Sequence, residues 1–113
     1  MVRRRRKVIA QGVVVRVERV SDELSFAHIN NFERGLIRVP LYMQVPKDFE
    51  GSNVDVVQER KGLFGGILAQ EISSAGMTWQ SEVSYAWVLG INRHYGIRYL
   101  ALPCNPSRRY FLR

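Results

Sequence analysis

Val8-Ile9-Ala10-Gln11-Gly12-Val13-Val14-Val15-Arg16-Val17-Glu18-Arg19-Val20 determines which class of fold this chain adopts. Branched side chains dominate it, and they crowd the preceding turn of a helix but sit well on a pleated surface. Its second half alternates. Val13, Val15 and Val17 fall on one face, and Val14, Arg16 and Glu18 on the other. Period two predicts a half-buried strand. Gly12 marks the expected place for a bulge or bend of the kind that barrels need.

After this run, Ser21-Asp22-Glu23 predicts a turn, and residues 24–29 a short strand with Leu24 and Phe26 on one face. Ile29-Asn30-Asn31-Phe32-Glu33-Arg34-Gly35-Leu36 predicts a sharp turn, because Asn tolerates left-handed backbone and Gly adopts it without penalty. Leu36 to Val39 reads as strand, with Pro40 and Pro46 confining it to an edge or a bulge. A turn at Lys47–Ser52 leads to a strand at Asn53–Gln58, and a second turn at Glu59–Gly62 leads to a strand within 63–73. Residues 82–91 alternate most clearly, with Val83, Tyr85, Trp87, Leu89 and Ile91 on one face, and predict a strand. A turn at Asn92–His94 and a further strand at 95–102 follow. Asn105 and Pro106 predict the cap and first residue of a short C-terminal helix. Short strands at this spacing, without a long helix, predict an antiparallel barrel or sandwich.

The chain has 113 residues, enough for one domain with one modest core. Its net charge of +7 is unevenly placed. Residues 3–7, Arg3-Arg4-Arg5-Arg6-Lys7, are all basic, and Arg108, Arg109 and Arg113 add to the other end. Residues 8–107 hold nine basic and ten acidic residues, so the body is nearly neutral. We therefore divide the chain into a flexible basic arm, residues 1–7, and a single domain, residues 8–113. A binder of nucleic acid commonly spreads its cations along a groove instead. The lone Cys104 excludes an internal disulfide and points to a reducing compartment. No apolar run is long enough to span a membrane, and Gln11, Arg16, Glu18 and Arg19 interrupt any leader-like stretch. The expectation is a cytoplasmic protein.

No catalytic pattern stands out. His28 and His94 lack metal-ligand spacing, Ser73-Ser74 lacks the context of a nucleophile, and no paired carboxylates appear. Lys61-Gly62-Leu63-Phe64-Gly65-Gly66 is glycine-rich but lacks the Gly-Lys-Ser/Thr ending of a phosphate loop. It reads as a flexible hairpin. The aromatic stripe Tyr85, Trp87, Tyr95, Tyr99 reads as core rather than as a base-stacking platform. The expectation is a binding protein and not an enzyme, with no metal and no cofactor.

Several motifs, in order, resemble the PilZ family. Asn30-x-Phe32-x-x-Gly35 has the spacing of the family's Asp/Asn-x-Ser-x-x-Gly turn, with Phe32 at the serine position. Arg3 and Lys7 stand where the family's Arg-x-x-x-Arg is expected, with lysine replacing the second arginine. Val45-Pro46-Lys47-x-x-x-Gly51-Ser52-x-Val54 is similar to its middle turn and strand, and Val83–Val88 followed by Tyr95–Tyr99 to its late hairpin.

The resemblance implies an all-β fold, a small six- to seven-stranded antiparallel β-barrel with a short C-terminal helix. It implies a bacterial signalling protein that binds cyclic dimeric GMP (c-di-GMP), or a non-binding adaptor derived from one that acts on an effector protein. The implied ligand site comprises Arg3, Arg4, Arg5, Arg6, Lys7, Asn30, Phe32, Arg34 and Gly35. Arginines would pair with phosphates and stack on guanines. Fixing a mobile arm costs roughly 1–2 kcal/mol per residue, which the ligand contacts must exceed. Two other readings stay open: a small OB-like barrel binding single-stranded nucleic acid, and a structural subunit of a larger assembly.

Overall fold

The computed structural model describes residues 5–97. Six strands run in chain order: β1 (Arg5–Ser21), β2 (Leu24–Asn31), β3 (Gly35–Leu41), β4 (Asn53–Lys61), β5 (Ile67–Ser74) and β6 (Met77–Ser84), followed by helix α1 (Tyr85–His94). Single 3-10 turns occupy Lys47–Phe49 and Leu63–Gly65. All neighbours are antiparallel, in the order β3-β2-β1-β4-β5-β6. The all-β, barrel-like fold with one short helix toward the C-terminal side is as expected, although β3 and β6 share no ladder and the sheet is not closed.

β1 lies at the centre and cannot be straight. Its 17 residues, at about 3.3 Å each, would exceed the molecule's longest dimension of 37 Å. It bends where its register shifts, between Val8 and Ala10 against β4 and between Val14 and Arg16 against β2. Gly12 sits between these shifts with φ of 145°, and a Cβ there would lie 2.3 Å from the Asn30 carbonyl oxygen. The chain needs glycine for the close approach of β2. The bulge also corrects the expected facing. Val14 and Val17 are buried, whereas Val13 and Val15 are exposed. The extra residue resets the alternation, so Val13, Val15 and Val17 do not share a face.

The main core gathers Ile9, Val14, Val17, Ile29, Val39, Val56 and Ile72 from both halves of the bent sheet, with Phe49 from the 3-10 turn. A second cluster joins Leu24, Phe26, Tyr42 and Leu68 to Val88 of α1. Gln70 of β5 lies between them, 1 % exposed. Its Oε1 accepts from Tyr42 N at 2.8 Å, and its Nε2 donates to Pro40 O at 3.1 Å. One side-chain amide thus serves the backbone at the end of β3 as a neighbouring strand would. It links β5 to β3 across the opening in the sheet.

The strand expected at 82–91 is instead the end of β6 and helix α1. The Ser84 hydroxyl accepts from Trp87 N, capping the helix. Val88 is 1 % exposed and Leu89 43 %, the reverse of what the alternating reading requires. Tyr85, Val88, Ile91 and Asn92 follow helical spacing toward the second cluster. Gly96, at φ 70°, ends the helix, and Ile97 N donates to Asn92 O. Tyr95–Ile97 is turn, not strand. The rest of the expected 95–102 strand, the Asn105 cap, Tyr99 and Cys104 lie outside the described residues.

Candidate functional site

β1 outruns β2. Its last pairing with β2 toward the N-terminus is Val13 with Asn30, while its pairing with β4 continues to Arg5. Beside this overhang stands the β2–β3 turn. Val8, Ile9, Ala10 and Gln11 from β1 face Asn31, Glu33, Arg34 and Ile37 across a cleft of about 150 Å3. The β2 side of this stretch has no ladder, so alternate backbone polar groups of β1 border the cleft.

Asn31 builds the turn. Its Oδ1 accepts from Glu33 N at 2.9 Å and Arg34 N at 3.1 Å, and its Nδ2 donates to Gln11 O at 2.7 Å. The side chain fixes the loop and ties it to β1. Asn30, expected to lead the turn, instead lies within β2 opposite Val13 and Leu36 with an exposed side chain. Gly35 has the expected positive φ, 76°. Phe32 is fully exposed at the turn's tip. The Arg34 guanidinium has no ion pair among the described residues, and it is the cation that borders the cleft.

The basic run divides differently from the expected arm. Arg3 and Arg4 lie outside the described residues. From Arg5 onward the chain is strand, with Arg5, Arg6 and Lys7 opposite Arg60, Glu59 and Gln58 of β4. Arg6 makes two 3.0 Å bonds to the Glu71 carboxylate. That pairing holds Glu71 below the usual carboxylate range, with burial opposing it and Gln80 assisting. Consecutive strand residues point to opposite faces, so Arg6 and Lys7 cannot close together on one ligand. Ladder pairing and carboxylate partners make this segment strand despite its charge.

Gln11 and Asn31 were the members that sequence reasoning missed. Gln11 also donates to Asp55 Oδ1 at 2.9 Å. Nothing in the sequence marks it, since its place depends on the overhang of β1. Asn31 was identifiable in principle by the Asx-turn preference for an acceptor two residues before a bend.

Of the histidines, His28 bonds Glu18 at 2.9 Å, and His94 lies edge-on to Tyr95. Among the described residues no three His, Cys, Asp or Glu side chains form a group fit to hold a metal. No helix among them is long and apolar enough to cross a membrane. No family model, curated protein or solved structure matches this chain.

Proposed function

We propose that the cleft between β1 and the β2–β3 turn binds a guanine-bearing phosphodiester, and that the protein is a c-di-GMP receptor of the kind its PilZ-like motifs imply, acting on an effector protein. The observation that supports this most is the pairing of opposite charges on adjacent turn residues, Glu33 and Arg34, at one cleft. Guanine presents two N–H donors on one edge, which a carboxylate can accept together. A phosphate takes a guanidinium fork. Glu33 would read the base and Arg34 the phosphate, while exposed Phe32 offers a surface for stacking.

The cleft seats one base edge or one phosphate, and the rest of the ligand would lie over the exposed turn. The basic segment ends at Lys7, next to the cleft's first residue, Val8. Calorimetric titration with c-di-GMP tests the reading. Saturable binding weakened at least tenfold by Arg34→Ala is expected. Flat heats with folded protein would remove the receptor reading and leave only the adaptor.

A further inference from the structure

A second cleft, of about 350 Å3, lies between the outer side of β1–β3 and the end of α1, lined by Glu18, Val20, Phe26, Arg38, Pro40 and the Tyr95–Ile97 turn. We propose that it binds a small zwitterion with an apolar side chain, the chemistry of a free α-amino acid such as phenylalanine or leucine. Its volume lies within the span of roughly 300–1,000 Å3 typical of small-molecule sites.

Two opposite charges line this cleft with their bonding capacity incompletely used. The Arg38 guanidinium carbon sits 3.6 Å from the centroid of the Phe26 ring. Such packing engages the cation's face and leaves the N–H donors at its edge available. Among the described residues its one ion-pair contact is Glu18 at 3.6 Å, beyond hydrogen-bonding range. Glu18 Oε1 accepts from His28 Nε2 at 2.9 Å, and Oε2 has no hydrogen-bond partner among the described residues. The His28 bond, with help from Arg38, keeps Glu18 below the usual carboxylate range although burial opposes it. The cleft therefore presents one anion and one cation at close range beside the apolar surface of Val20, Phe26, Pro40 and Ile97.

Ligand classes separate on those charges. A neutral apolar molecule would desolvate both without replacing the lost hydration. A simple carboxylate would meet Arg38 but be repelled by Glu18. An amino acid carries its ammonium and carboxylate on one carbon, so it satisfies Glu18 and Arg38 together while its side chain meets the apolar wall. This site shares no residue with the first cleft and does not depend on what binds there.

The test is titration of the full chain with L-phenylalanine, L-leucine, their N-acetyl and amide derivatives, and glycine. The expected result is saturable binding of phenylalanine or leucine, at least tenfold weaker for each blocked derivative and for glycine. Glu18→Gln, which keeps an acceptor for His28, and Arg38→Met, which keeps contact with Phe26, should each weaken binding at least tenfold with an unchanged circular dichroism spectrum. No binding of either amino acid would overturn the proposal. So would blocked derivatives that bind as well as the parents, or folded variants that bind like the wild type.

Discussion

Replacing Gln70 by leucine tests how the open sheet holds together. The substitution keeps the approximate volume and removes the amide. Tyr42 N–H and Pro40 C=O then lose their 2.8 Å and 3.1 Å bonds in a place where Gln70 is 1 % exposed. Gln58 Oε1 loses a weaker contact at 3.3 Å. Each stranded buried group costs about 1–3 kcal/mol, so the two backbone groups together cost roughly 2–6 kcal/mol. Burial of the leucine side chain returns about 1.5–3 kcal/mol. The expected net loss is roughly 2 kcal/mol, a large share of the 5–15 kcal/mol typical of a domain. Urea unfolding followed by tryptophan fluorescence is a suitable assay, because Trp87 packs edge-on against Tyr42 at 6.1 Å. The midpoint should fall by about 1 M, given slopes of roughly 1–3 kcal/mol/M. Thr78→Val, on an exposed residue of β6, should change stability by no more than about 0.5 kcal/mol. If Gln70→Leu unfolds with the wild-type midpoint, Gln70 does not bridge the opening between β5 and β3.

Gly12→Ala should be worse than a typical glycine replacement, since its Cβ meets the Asn30 carbonyl at 2.3 Å and φ is 145°. A loss of about 3 kcal/mol or more in the same urea assay is expected, and a loss below about 1 kcal/mol would refute the forced bend. Glu18 and Glu71 have folded-state pKa values below their ordinary 4.5. Their stabilisation is therefore complete above the unfolded value and lost as pH falls below about 4.5 through the lowered folded values. Thermal melts of Glu18→Gln with Glu71→Gln should show a shallower acid limb than the wild type, and an unchanged limb would contradict the pairing. Burial pushes the Tyr42 hydroxyl up to about 12, although its bond to Asn92 opposes the shift. Ultraviolet titration should show a late tyrosine ionisation that Tyr42→Phe removes.

Local chemistry carried much of the fold. The branched run at 8–20, the glycine turns at Gly35, Gly51 and Gly62, and the prolines around β3 were enough to place the first four strands. The second half depended on tertiary context. Val83-Tyr85-Trp87-Leu89-Ile91 alternates as a strand should, yet Val88 and Ile91 also fit one helical face. The Ser84 cap and the second core cluster settle the segment as helix. Period two and period 3.6 overlap over ten residues, so the pattern alone could not separate them.

The site was partly readable for the same reason. The turn and its glycine follow from residue preferences, and the nearness of the basic segment to the turn was an expectation about topology. That Arg5, Arg6 and Lys7 form strand was not readable, because it depends on Glu59, Glu71 and Gln58 arriving from β4 and β5. Gln11 was invisible until the overhang of β1 showed which backbone borders the cleft.

The most direct test of the first cleft is an amide-resolved NMR titration of the 15N-labelled protein with c-di-GMP. Saturating shifts concentrated at Val8–Gln11 and Asn31–Gly35 are predicted. The absence of shifts, or shifts confined to β6 and α1, would contradict binding at this cleft.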